Sequence, residues 1–421
     1  MMATTGAADD RLSPGRIAQG HAAAASLVRR TPVLTSKSLS ERVGGTILLK
    51  AENLQRTGSF KLRGVLSKVR AIDAPGIGVV AGSAGNHAQA LAYAARAHGL
   101  PCEVFMPVDA AVSKVSAVMA FGAVVHQEGA SVDECVELAR HRAAEAGLAF
   151  VHPFDDEDIV AGQAGLGFEL GEQVDDVATV LVPVGGGGLA AGVAIAIKQR
   201  HTDAVVVGVQ AEACAPYADS LHRGVAVTAS SITTIADGIA IKRPGAVTLP
   251  LVDRWLDDLV TVDEESIAEA MVLLLERAKL VVEGAGAVGV AALLSGAVRP
   301  AAGGATVAVL SGGNVDIALL AAVAARHETA MGRRIRVLTR VPDRPGGLAG
   351  LLSAIAEQKA NVLTVEHVRD GLPLGVRQTG VQLSLETRGR EHATRLLSAL
   401  RDSDYDVIEL GGDEKATHPR P

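Results

Sequence analysis

Lys61 stands in the stretch QRTGSFKLRG, Gln55–Gly64, directly after Thr-Gly-Ser-Phe. A solvated surface charge is one reading of it. Its neighbours favour another. Gly58 lets the backbone approach a partner closely, while Ser59 and Phe60 set a hydroxyl and an aromatic face beside the amine. Apolar crowding disfavours the ammonium form, lowers the lysine pKa and frees the amine. A free amine is what Schiff-base chemistry on an aldehyde requires.

Three further stretches offer groups of matching use. In SAGNHAQA, Ser83–Ala90, a strand-like run passes into a helical one. Small residues ahead of Asn86 leave backbone N–H groups bare at a helix start, which suits an anion such as a carboxylate. Asn86 itself is placed to hydrogen-bond an oxygen on a bound ring. An ordinary Ser/Asn cap is the alternative for the stretch, and a structural hydrogen bond is the alternative for His87. In VPVGGGGLAAG, Gly185–Gly188 lie between strand and helix. Four glycines cost backbone entropy at each position. A phosphate wrapped by bare N–H groups offsets that cost, where a flexible turn would need fewer glycines. In VLSGGN, Ser311 ends a strand, where open α/β sheets gather ligands. Its hydroxyl can serve one heteroatom of a ring.

Other motifs are excluded. GAGAVG, Gly284–Gly289, matches a dinucleotide fingerprint, but no acidic residue stands between Val290 and Val315 to hold a ribose. It is read as close helix packing. Ser83 lies in AGSAG, which is not a hydrolase elbow.

The elements that position these groups alternate. ILLKAENL, 47–54, reads as a strand ahead of Lys61, and further apolar runs at 78–83, 102–107, 123–128, 179–184, 204–210 and 306–311 are separated by Ala-rich helical patterns. Strands apolar throughout and joined by helices imply parallel sheets covered on both faces. Near RHETAMGRR, 326–334, the pattern changes, and this segment is read as a linker. Strands are expected at 335–341, 361–369, 380–386 and 405–410. Helices between them carry Leu348, Leu351, Leu352 and Ile355, and then Ala393, Leu396, Leu397 and Leu400. That is a ferredoxin-like βαββαβ unit over 335–410, with a tail at 411–421 expected to be disordered.

At 421 residues, two or three domains are expected. A net charge of −7 without a long basic run argues against nucleic acid and for small metabolites. Cys102, Cys135 and Cys214 are widely spaced, so neither a disulfide framework nor a zinc site is expected, and a reducing cytosol is. No signal peptide or membrane span is expected.

A lysine amine, a phosphate grip, a hydroxyl for a ring atom and a carboxylate nest together match pyridoxal 5'-phosphate and an amino-acid substrate. The segments ENLQRTGSFKLRG, SAGNHAQA, PVGGGGLAAG, IADGIA, VVEGAGA and LSGGN occur in order over about three-quarters of the chain. Residues 12 to 325 thereby resemble the threonine dehydratase and serine racemase branch of fold-type II pyridoxal phosphate enzymes. Residues 335–410, through their topology and DRPGGLAGLL, resemble an ACT domain.

The resemblance implies two open parallel α/β lobes at 1–325, built like the tryptophan synthase β fold. It implies that Lys61 holds the cofactor and removes the Cα proton. Phe60 packs near the ring, Asn86 contacts its 3′ oxygen, and Ser83, Ala84, Gly85, Asn86 and His87 hold the substrate carboxylate. Gly185, Gly186, Gly187, Gly188 and Leu189 bind the phosphate, and Ser311 faces the pyridine nitrogen. The implied reaction is β-elimination from L-threonine to 2-oxobutyrate and ammonia, with L-serine turned over as well. Serine racemisation, threo-3-hydroxyaspartate dehydration, β-replacement and a non-catalytic amino-acid sensor remain alternatives. Ala84 replaces the serine of the racemase pattern, which favours elimination. Glu212 matches the glutamate of the family's cation site, but the aspartate position aligns with Ala218, with Asp219 one step off, so no metal is expected. Isoleucine or valine is the implied effector of the ACT-like module, a dimerisation platform without a ligand is the alternative, and a homodimer or homotetramer is the implied assembly.

Overall fold

The computed structural model describes residues 12–72, 76–369 and 375–410. The extreme N-terminus and the expected tail at 411–421 lie outside the described residues. The chain divides into two units, Met1–Asp316 and Ile317–Pro421.

The first unit holds two sheets. The larger comprises β1 (Val33–Thr35), β2 (Thr46–Ala51), β7 (Val177–Pro183), β8 (Val205–Ala211), β9 (Asp258–Val262) and β10 (Ala305–Leu310), in the order β1-β2-β10-β7-β8-β9. All neighbours run parallel except β1, which pairs antiparallel with β2 at the edge. The smaller comprises β3 (Val79–Gly82), β4 (Cys102–Met106), β5 (Val124–Gln127) and β6 (Ala149–Phe150), all parallel in the order β5-β4-β3-β6. Every residue of β3 and β10 is buried, as continuous apolar runs between helical layers require. β1, β6 and β9 have no counterpart among the expected strands. They are short or half-exposed, and their partners rather than their own pattern make them strands.

Five helices of this unit frame the site: α1 (Lys61–Ala71), α2 (Asn86–His98), α3 (Glu157–Gln173), α4 (Gly188–Arg200) and α5 (Gly284–Leu294). α3 is wedged between α1 and α4 at backbone distance. A Cβ on Gly162 would lie 2.5 Å from the Arg63 carbonyl oxygen, and one on Gly192 2.6 Å from that of Val160. Arg63 on α1 is fully buried and donates to Glu52 and to Glu169 on α3 at 2.8 Å. Lys50 on β2 donates to the same Glu169 at 2.8 Å. Buried charges survive only when paired this way, and the cluster ties β2, α1 and α3 together. GAGAVG opens α5, where a Cβ on Gly286 would lie 2.7 Å from the Gly312 oxygen, so its glycines serve close packing. The preceding LVVE is not a strand. It follows a π-helical turn at Leu274–Ala278, with Lys279 in the left-handed region at φ 60°.

The second unit begins with α6 (Ile317–Ala330), so residues 326–330 of the expected linker complete a helix. Then come β11 (Arg334–Pro342), α7 (Gly347–Glu357), β12 (Asn361–Val368), β13 (Gln378–Glu386), α8 (Arg390–Asp402) and β14 (Ile408–Glu409). The sheet is antiparallel in the order β12-β13-β11-β14, a βαββαβ arrangement. Leu351, Ile355, Leu383, Leu385, Leu396 and Leu400 form its core. Ser384, an outward position by simple alternation, is buried on the central strand β13. Among the described residues no helix is long and apolar enough to cross a membrane.

Candidate active site

Lys61 is the first residue of α1, reached by the loop that leaves β2. That loop is stitched to the end of β10. Phe60 N–H donates to the Ser311 carbonyl at 3.0 Å, and Gly313 N–H to that of Gly58 at 2.9 Å. Gly58 takes φ 73°, and a side chain there would collide with Asn314. The Lys61 amine donates to the Pro153 carbonyl at 2.8 Å and lies 5.3 Å from the Phe60 ring centroid. Burial pushes its pKa down to about 8, with the charge of Glu283 acting in the opposite sense.

β7 ends at Pro183 and α4 begins at Gly188. The N–H groups of Gly185, Gly186 and Gly187 have no acceptor among the described residues. The glycines are required by their surroundings as well as by their freedom. A Cβ on Gly185 would stand 2.8 Å from Ile239 Cα, one on Gly186 would enter the Phe154 ring, and one on Gly187 would strike the Tyr217 hydroxyl. Gly187 also has φ 84°. Tyr217 fixes the bend by donating to the Gly186 carbonyl at 2.8 Å.

β3 leads through Ser83–Gly85 into α2. The N–H groups of Ala84, Asn86 and His87 have no acceptor among the described residues, whereas Gly85 N–H donates to Ser83 Oγ at 3.3 Å. Asn86 is engaged at both ends of its amide, donating to Glu283 at 2.8 Å and accepting from Asn314 at 2.7 Å. His87 is buried, with Nε2 3.0 Å from the Val151 carbonyl oxygen. Burial and then the Lys61 charge lower its pKa to about 3, so the ring stays neutral. Since a carbonyl only accepts, Nε2 carries the proton, and His87 is a structural donor here.

Phe60, Lys61, Ser83–His87, Gly185–Leu189 and Ser311 all line one cavity of about 790 Å³. Glu212 does not: its side chain is exposed, beyond the end of β8. Glu283 joins the lining without having been expected there. Burial and the nearby Asp237 raise its carboxyl to about 7, against the pull of its hydrogen bond from Asn86. An acid directly after the apolar run LVV and before a small-residue helix was the available signal. Phe154 and Tyr217, which shape the glycine bend, come from distant segments and gave no signal.

Comparison with known proteins identifies the family. Residues 24–312 match the family described as pyridoxal-phosphate dependent enzyme, and residues 335–402 match the ACT domain. The L-threonine ammonia-lyase of Geobacter sulfurreducens is 44% identical over 385 residues, covering 91% of this chain and 96% of the relative. Among solved structures, a threonine deaminase from T.th. is 41% identical with a TM-score of 0.69, covering 72% of this chain and 99% of that one. Maize serine racemase is 33% identical with a TM-score of 0.70, covering 75% and 98%. With a lysine amine, a glycine bend and a strand-end serine around one cavity, and with this match over most of the chain, the protein belongs to the pyridoxal-phosphate dependent enzymes and carries a C-terminal ACT domain.

Proposed function

We propose that this chain is an L-threonine ammonia-lyase, converting L-threonine to 2-oxobutyrate and ammonia and accepting L-serine as a second substrate. The observation that carries the reading is the Lys61 amine, with its pKa lowered to about 8, in the same cavity as the unbonded N–H groups of Gly185–Gly187. The residues fit the cofactor: the bend at 185–187 leaves no room for side chains and holds unbonded N–H donors just before the start of α4, as a phosphate requires.

Pyridoxal phosphate, when bound, supplies an electron sink for the charge left at Cα. Lys61 supplies the amine that holds it and the base that takes the Cα proton. The N–H groups of Ala84, Asn86 and His87 hold the substrate carboxylate. Gly185–Leu189 would hold the phosphate, Asn86 would serve the ring oxygen, and Phe60 would pack beside the ring. Ser311 offers a neutral hydroxyl to the ring nitrogen. A carboxylate there would keep the nitrogen protonated and the sink strong. With the neutral Ser311 hydroxyl there, the sink would be weaker, which would favour loss of the β-hydroxyl as water, the proton coming from the Lys61 ammonium formed on taking the Cα proton. The released enamine, through its imine tautomer, would take up one water to give the 2-oxo acid and ammonia.

The names of the relatives support threonine as substrate. A methyl group distinguishes threonine from serine by only about 1–3 kcal/mol, so both should be turned over. The likeness to maize serine racemase favours racemisation as the second reading, but Ala84 in the cavity lining has no hydroxyl for the opposite face of Cα. The three buried free thiols suit a reducing cytosol. The ACT domain supports an amino acid as effector, for which isoleucine or valine is our choice, and a homodimer or homotetramer is the assembly we infer.

The test is 2-oxo acid release from L-threonine, L-serine and threo-3-hydroxyaspartate side by side, with D-serine formation measured in parallel. Threonine should be used best. Lys61→Ala should lose turnover and the visible absorption of lysine-bound pyridoxal together. Normal turnover in that variant would end the proposal.

A further inference from the structure

Asn314, in the loop just past β10, has no role in the reaction as described above. It lines the cavity together with Asn86 and Glu283. Its side-chain NH₂ donates to the Thr57 carbonyl at 2.8 Å and to Asn86 Oδ1 at 2.7 Å. Asn86 Nδ2 in turn donates to Glu283 at 2.8 Å. One chain of hydrogen bonds therefore links the loop before Lys61, the end of β10, the start of α2 and the residue before α5.

The chain fixes which way round each amide sits. A backbone carbonyl only accepts, so the end of Asn314 that faces Thr57 is its NH₂. The same NH₂ faces Asn86, so the facing end of Asn86 is its oxygen. The Asn86 NH₂ is left on the other side. It gives one hydrogen to Glu283, and the second has no acceptor among the described residues. Glu283 alone does not impose this orientation. A carboxyl accepts when ionised and can donate when protonated, so it can face either end of an amide. The direction comes from the Thr57 carbonyl, through Asn314. Close packing keeps both amides in place. A Cβ on Gly58 would strike the Asn314 amide, and one on Gly312 would lie 3.3 Å from Asn86 Nδ2.

We propose that Asn314 is a positioning residue: by holding Asn86 Oδ1 it keeps the NH₂ group, and not the oxygen, as the end of Asn86 that meets the ring oxygen of the cofactor. The proposal rests on the reading that Asn86 serves that ring oxygen. The reversed amide would set two oxygens against each other.

Apo-protein of the wild type, Asn86→Ala, Asn314→Asp, Asn314→Ala and the double variant Asn86→Ala/Asn314→Asp is tested by equilibrium dialysis. The ligands are pyridoxal phosphate and 3-deoxypyridoxal 5'-phosphate, which lacks only the ring oxygen. Circular dichroism melts report folding. The readout is the preference for pyridoxal phosphate over the analogue. Asn314→Asp keeps the shape but turns the donor into an acceptor, so Asn86 should reverse to face it. The preference should then fall at least about tenfold, as it should in Asn86→Ala, a hydrogen bond to a charged oxygen being lost in each. Asn314→Ala, which carries the comparison should Asn314→Asp not fold, should lower it at least about threefold. In the double variant the preference should stay within about twofold of that of Asn86→Ala, because Asn314 acts through Asn86. An unchanged preference in the Asn314 variants, with or without equal weakening of both ligands, would overturn the proposal while leaving the role of Asn86 intact. A further fall in the double variant would do the same. A wild-type preference in Asn86→Ala would overturn the reading of Asn86 and this proposal together.

Discussion

Lys61 and Glu283 line the same cavity as a base and an acid, each shifted toward its uncharged form by burial. Capture of pyridoxal phosphate by apo-protein needs the neutral amine, so its rate should climb with pH up to about 8 and then level off. Glu283→Gln removes a charge that favours the ammonium form, and the inflection should move to lower pH. Stopped-flow absorbance measures both. Glu283 also ties stability to pH. Its folded value of about 7 exceeds the ordinary 4.5, so the folded state binds this proton more tightly. The contribution is full below about pH 4.5 and is lost as pH rises through about 7. Melting temperatures of Glu283→Gln apo-protein should lack that decline. Lys61, Ser311 and the four glycines were legible because each is costly or odd for a surface loop. Glu283 was not, since one polar residue in an apolar stretch has no period to betray it. Its meaning depends on neighbours over a hundred residues away, such as Asn86 for Glu283.

At the scale of elements, the site is a meeting of strand ends with helix starts. β2, β3, β7 and β10 each deliver a loop at the carboxyl edge of a sheet, and α1, α2 and α4 begin there. The glycine bend is the most sterically defined of these loops. Gly186→Ala should weaken pyridoxal phosphate binding by apo-protein about tenfold or more, the overpacking cost being typically about 1–3 kcal/mol. Phe154→Ala in the same chain should recover part of it by vacating the space the new methyl enters. No recovery would mean that the glycine is needed for its backbone alone. The helices and long strands were readable from their apolar runs. β1 and β6, three and two residues long, were not, because so short a segment is extended only by virtue of its partner. The left-handed Lys279 after its π-helical turn breaks the helical period just where LVVE imitates a strand.

For the whole molecule, the two units keep separate cores. Full-length protein should change its threonine turnover on addition of isoleucine or valine, and a chain ending at Asp316 should bind cofactor but ignore both. An unchanged full-length response to each would leave the ACT domain a structural part only. The order of strands in the larger sheet has one more consequence. β10 is the last strand of that sheet in the chain, yet it lies between β2 and β7. Until a ribosome has released residues 305–310, the nascent protein holds two apolar strand edges apart with nothing between them, and such edges invite association with other chains. Ser311 and Asn314 emerge just afterwards. The lysine and the glycine bend are made before that strand, but the vitamin-derived coenzyme meets its complete pocket only once the strand and Ser311 have followed.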